Sequence, residues 1–152
     1  MSKNAPDVWF KFIQSHRWMI REIDRRLHAE NLPNYAWYDV LWGLESGTDH
    51  RRRMHELADT LAIERYNLTR VVARLEAEGL VSRSRSEEDG RATYVSITRE
   101  GQSLRRKMWK VYQGAVADLF LSQFEQDQRS TVADSLDKVI QAARDSYMDG
   151  GH

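Results

Sequence analysis

Between Leu80 and Gly101 the chain reads "LVSRSRSEEDGRATYVSITREG". It is the only place where apolar residues alternate with polar ones at a period of two. Val81, Arg83 and Arg85 alternate with Leu80, Ser82 and Ser84, and Thr93, Val95 and Ile97 repeat the pattern after the polar run "SEEDGR". Such a pattern predicts a β-hairpin hinged on Asp-Gly, with Thr98 placed to cap a new helix. A lone hairpin is not stable in water, so the rest of the chain must supply the surface it packs on.

The rest reads as helix. Only 2 Pro and 8 Gly interrupt 152 residues, enough chain for one domain with a sizeable core. Residues 8–29 carry Trp9, Ile13, His16, Ile20, Ile23 and Leu27 at alternating spacings of four and three, with Phe12 and Met19 beside them. That seam predicts a long helix that needs a helical partner. "NLPN" breaks it, and "YAWYDVLWGLESG" forms a second helix ending near Gly47, with Trp37, Leu41 and Leu44 inward. Two short helices follow, "MHELADTLA" and "ERYNLTRVVARLEAEG". The second has Leu68, Val71, Val72 and Leu75 on one face and stops at Gly79. Residues 99–124 and the stretch from Val132 to Tyr147 complete the chain as two further helices.

Helix, turn, helix and then hairpin is the winged-helix order. The expected fold is mainly α with a small β-hairpin wing. A winged helix-turn-helix lobe spans residues 49–98, and residues 8–48 and 99–148 form a helical dimerisation region within a single domain, 1–152. The N- and C-terminal helices carry apolar seams too wide for one small lobe to cover, so a twofold pair is expected.

Charge agrees with a polyanion partner. Lys/Arg and Asp/Glu balance at 23 each, yet residues 51–106 carry twelve basic against nine acidic groups while both flanks are slightly acidic. With Leu68 centred on the buried face of the second short helix, Tyr66, Arg70, Ala73 and Ala77 fall opposite, flanked by Asn67, Thr69 and Arg74. Arg forks onto guanine, Asn onto adenine, and small side chains permit close approach. The expected DNA contacts are therefore Arg65, Tyr66, Asn67, Thr69, Arg70 and Arg74 on the helix, and Arg83, Arg85 and Arg91 on the wing. Asp89 and Arg91 are expected to form a salt bridge in the wing. The triplet Arg51–Arg53 either binds phosphate or is simply solvated.

The segment "ELADTLAIERYNLTRVVARLEAEGLVSRSRSEEDGRATYVSITREG" resembles the core of MarR-type transcriptional regulators. Their pattern includes "T-x-x-V-x-x-L-E-x-x-G-L-V-x-R" and a wing "D-x-R-x-x-x-V-x-L-T-x-x-G", met here by Asp89, Arg91, Val95, Ile97 in place of Leu, Thr98 and Gly101. The resemblance implies a homodimer whose terminal helices interlock, two winged lobes on one duplex, and small anionic, often aromatic, ligands that loosen the grip. There are two departures. Glu64 stands where a small polar residue often starts the recognition helix, and Gly90 stands between the wing's Asp and Arg. Either Arg85 or Arg91 is then the arginine that enters the minor groove.

His16, Arg17, Trp18 and Arg21 on the first helix, with Trp37, Tyr38 and Trp42 on the second, form a candidate pocket for a planar aromatic acid. The same residues would equally serve as packing. Catalysis is not expected: Cys is absent, and no phosphate-cradling Gly-rich loop or "HExxH" spacing occurs. The five histidines are scattered, so neither metal nor cofactor is expected. The N-terminus lacks a secretory pattern, which predicts a cytoplasmic protein. The expected function is a double-stranded-DNA-binding regulator of a pseudo-palindromic operator, a repressor rather than an activator. The alternative is a winged-helix protein-interaction module that does not bind DNA.

Overall fold

The structure, a computed structural model, describes residues 5–85, 88, 90 and 92–151. The elements run α1 (Ala5–Ala29), α2 (Tyr35–Glu45), a 3-10 turn (Thr48–His50), β1 (Arg51–Arg53), α3 (Met54–Leu61), α4 (Arg65–Ala77), β2 (Val81–Arg85), β3 (Thr93–Ile97), α5 (Arg99–Leu119), a second 3-10 turn (Leu121–Gln123) and α6 (Gln126–Asp149). The chain divides into two compact units, Met1–Gly114 and Ala115–His152. No helix among the described residues is long and apolar enough to cross a membrane.

In the first unit the core gathers Val40, Leu41 and Leu44 of α2, Met54 and Leu57 of α3, Leu68, Val72 and Leu75 of α4, and Val81, Val95 and Ile97 of the sheet. The i, i+4, i+7 spacing in α4 is thus the buried stripe expected of it. Two local devices place that helix. Ala62, in the left-handed region at φ 53°, ends α3 and lets Ile63 N–H reach the Ala58 carbonyl at 3.0 Å, turning the chain into α4. At the other end Gly79, with φ 73°, lets Leu80 N–H close onto the Leu75 carbonyl at 2.9 Å, and β2 starts immediately. Only glycine takes that conformation at no cost. Glu64 has no side-chain capping bond, and the helix begins at Arg65.

The wing is larger than the two strands read from sequence. The sheet has three antiparallel strands in the order β1-β3-β2. Arg51, Arg52 and Arg53 pair with Ser96, Val95 and Tyr94, while Val81, Arg83 and Arg85 pair with Ile97, Val95 and Thr93. Three consecutive arginines carry no apolar alternation, so the backbone pairing that makes them a strand had no side-chain signature. Gly90, between the strands, does not occupy the left-handed region.

Helix α5 starts as expected. Gly101 N–H donates to Thr98 Oγ1 at 3.1 Å, and that hydroxyl donates in turn to the Gly79 carbonyl at 2.8 Å. The expectation of one helix to residue 124 is corrected: the α-helix stops at Leu119. Just beyond, the Ser122 hydroxyl donates to the Asp118 carbonyl at 2.6 Å, competing with the backbone ladder.

The seam of α1 is buried only towards its C-terminal end, at Ile23 and Leu27, whereas Val8, Trp9, Phe10, Phe12 and Trp18 are exposed. In the second unit, Phe120 and Phe124 pack edge to face at 5.2 Å between ring centroids. There α6 exposes Val139, Ile140, Tyr147 and Met148.

Candidate functional site

With Leu68, Val72 and Leu75 fully buried, the opposite side of α4 must face outward, and it does. Tyr66 is 67% exposed, and Asn67, Thr69, Arg70, Ala73, Arg74 and Ala77 are all exposed beside it. Arg70 lies over the Tyr66 ring with its guanidinium carbon 5.9 Å from the centroid, a contact that limits the rotamers of both. The Thr69 hydroxyl donates to the Arg65 carbonyl at 2.8 Å, so its methyl is the part left for an apolar partner.

Beside the N-terminal half of α4 opens a groove of about 410 Å³ lined by Arg53, Met54, His55, Arg65, Thr69, Arg83, Ala92 and Thr93. Among the described residues its lining carries three guanidiniums and an imidazole, and no carboxylate. That composition attracts an anion. Arg83 reaches it by strand alternation: Val81 is buried, so Arg83 and Arg85 lie on the same side of β2, beyond the edge of the core. Arg83 also makes an ion pair with Glu76 of α4 at 3.5 Å. Arg85 is exposed. The expected salt bridge of Asp89 with Arg91, and any role of Arg91 in DNA contact, lie outside the described residues.

The effector candidates are placed less compactly. His16, Arg17 and Trp18 are exposed, with Arg21 above the Trp18 ring at 5.1 Å. Trp37 packs against the winged core, and Trp42 is 44% exposed. Tyr38 belongs to a feature that sequence reasoning missed, a column of four rings joining α2 to α5. Trp109 and Tyr38 stack at 5.9 Å, Tyr38 and Tyr112 at 5.0 Å, and Tyr112 and Tyr35 at 5.2 Å. Trp109 and Tyr112 are three residues apart on one helix face, a spacing that could have flagged them. Arg105 pairs with Glu45 near the same junction.

At the end of the column sits Asp39, also missed because a single acid in an apolar helix carries no motif. Burial pushes its carboxyl up from 3.8 to about 6, against the Tyr35 hydroxyl and the charge of His16, which act to lower it. Burial likewise raises the Tyr35, Tyr38 and Tyr112 phenols. Because the folded state binds the Asp39 proton more tightly than the unfolded chain, the resulting stabilisation is complete below about pH 4 and is lost as pH rises through about 6. Two pKa units correspond to on the order of 3 kcal/mol. Asp39→Asn should therefore match the wild type in acid and exceed it in urea stability above pH 7. Parallel denaturation curves for the two proteins from pH 4 to 8 would contradict this account of the carboxyl.

Three comparisons bear on the site. The MarR family profile matches residues 33–92, which run from the start of α2 into the wing. The chain is 30% identical over 103 residues to the transcriptional regulator FarR of Neisseria gonorrhoeae, covering 68% of each chain. It is 31% identical over 100 residues to the organic hydroperoxide resistance transcriptional regulator of Bacillus subtilis, covering 64% of this chain and 65% of that one. The chain spans about half to two thirds of the length of several such curated relatives. Among solved structures, Sco3205, a MarR family transcriptional regulator from Streptomyces coelicolor determined in complex with DNA, superposes with a TM-score of 0.86 at 25% identity, covering 93% of this chain and 89% of that one.

Proposed function

Because this chain belongs to the MarR family of winged helix-turn-helix transcriptional regulators, we propose that it works as a homodimeric, sequence-specific DNA-binding regulator, a repressor released by a small aromatic or anionic ligand. The observation that carries the reading is the outer face of α4. Tyr66, Asn67 and Arg70 stand exposed at its N-terminal half, next to a groove lined, among the described residues, by Arg53, Arg65 and Arg83. In this reading α4 lies in the major groove, with Arg65 and Arg74 at its margins, while Arg83 and Arg85 of the wing address the flanking backbone or minor groove. The solved complex of a relative with DNA supports the same use of the fold.

Dimerisation is supported by what each terminal helix leaves uncovered. Trp9, Phe10, Phe12 and Trp18 on α1 are too much apolar surface for a monomer to leave in water, and α6 separately exposes Val139, Ile140, Tyr147 and Met148. Two copies sharing these faces would present two α4 helices to one duplex. The effector part of the reading rests on the ring column from Trp109 to Tyr35, which ties α2 of the winged core to α5. A planar ligand competing for those stacking contacts would favour a different lobe spacing and so lower the population able to bind DNA.

Selection from a random duplex library tests the proposal directly. The expected product is a pseudo-palindrome whose half-site centres lie about 10–10.5 bp apart, or a multiple of that, with the complex sedimenting as two protein chains per duplex. A pool that never converges, or that converges on a single asymmetric half-site, would reject the dimeric reading.

A further inference from the structure

An ion pair joins the recognition helix to the wing. Arg83 Nε of β2 lies 3.5 Å from Glu76 Oε1 of α4, and the two side chains are 32% and 44% exposed. Arg65, Thr69 and Glu76 follow one another at spacings of four and seven residues, so they share one side of α4. Arg65 and Thr69 line the basic groove, and Arg83 lines it from the strand. Glu76 therefore stands further along the side of the helix that meets the groove. A pair this open to solvent contributes little to folding, and α4 is already held by Leu68, Val72 and Leu75. The pairing matters for what it does to Arg83.

We propose that Glu76 is an electrostatic brake on DNA binding: it holds Arg83 in the free protein, and Arg83 exchanges that carboxylate for a phosphate on docking. The brake rests on the DNA-binding reading above and adds to it a residue that lowers affinity. Glu76 acts through Arg83 and is a positioning residue, while Arg83 is the group that meets the duplex. The exchange has a signature in salt dependence. A phosphate contacted by an arginine releases a condensed cation, whereas the carboxylate left behind takes one up from solution. The two nearly cancel, so Arg83 makes its contact while adding little to the salt-dependent attraction shared by every polyanion. Because phosphate contacts carry no sequence information, the brake lowers affinity for all duplexes alike. It leaves the exposed Tyr66, Asn67 and Arg70 of α4 untouched. A pair of this exposure is weak enough to be broken on docking and strong enough to be felt.

The experiment measures affinity for a wild-type-selected duplex and a scrambled one by fluorescence anisotropy over a range of salt concentrations. Glu76→Gln keeps the size of the side chain and removes its charge. It should bind both duplexes roughly two- to fivefold more tightly near physiological salt, the worth of one exposed pair. Its plot of log K against log salt should steepen by up to about one unit, because no carboxylate remains to take up a cation. The base preferences recovered by selection should not change. Arg83→Gln should weaken binding to both duplexes with little change of slope. In the Arg83→Gln background, Glu76→Gln should lose most of its gain and its steepening, since the partner it acts through is gone. If Arg83→Gln fails to fold, Arg83→Met, which keeps an unbranched apolar stem, takes its place in the cycle. A gain of the same size in both backgrounds would overturn the brake by showing that Glu76 repels DNA on its own account. Weaker binding by Glu76→Gln would overturn it too, because the pair would then present Arg83 to the duplex. A wild type that selects no DNA would overturn the brake together with the reading beneath it.

Discussion

Replacing Gly101 with alanine is expected to cost about 3 kcal/mol or more of stability, a fall in melting temperature on the order of 10 °C. A Cβ at this position would stand 2.2 Å from the Leu80 carbonyl oxygen and 2.8 Å from Ile97 Cγ1. The first obstacle is backbone and cannot swing aside. That same oxygen accepts the Thr98 N–H at 3.1 Å, and Gly101 N–H bonds the capping Thr98 hydroxyl at 3.1 Å, so relieving the clash means breaking the junction that launches α5 from the wing. Gly90→Ala provides the control. No atom of the described residues lies within 4 Å of its Cβ position, and stability there should stay within about 0.5 kcal/mol. Thermal melts of the two variants beside the wild type check the claim, and an unaltered melt for Gly101→Ala would refute the close approach.

Removal of the Tyr66, Asn67 and Arg70 side chains together should lower affinity for the selected duplex by roughly a thousandfold at one fixed salt concentration. Each bidentate base contact contributes about 1–3 kcal/mol of discrimination, and these three side chains occupy the N-terminal half of α4, where base edges are read. Since Tyr66, Asn67 and Arg70 are all exposed, the melting temperature should hardly move. That separates a lost contact from a lost fold. Arg70→Ala alone should relax preference at one base position, whereas loss of a phosphate-bound arginine weakens all sequences alike. Measurements on several duplexes are needed to tell these apart. Unchanged binding by the triple variant would reject the assignment and favour a winged-helix module that recognises protein instead of DNA.

How much of this was legible in sequence differs by element. The stripe Leu68–Val72–Leu75 left its period in the sequence, and the terminators Gly79 and Thr98 announced their positions through residue chemistry. The MarR-like pattern, read on residues 56–101, overlaps the family match at 33–92 up to residue 92, and its last positions, from Val95 to Gly101, lie beyond that match. Strand β1 was not legible, because its membership in the sheet is decided by backbone bonds to β3 that any side chain would permit. The four-ring column escaped notice because its halves lie some seventy residues apart in α2 and α5. Asp39 acquires its raised pKa from that packing, so nothing local could have revealed it. The two stretches of exposed apolar side chains were read as seams, and the structure shows where α1 is covered, at Ile23 and Leu27, and where it is open.

Strand β1 has a mechanical corollary. Arg53 belongs to the sheet and Met54 begins α3, with no residue between them to act as a joint. Arg52 fastens the same strand to α2. A strand so braced is tied at once to α2 and to α3. Under the proposed function, a ligand that displaces α2 or α3 would carry this edge of the sheet with it.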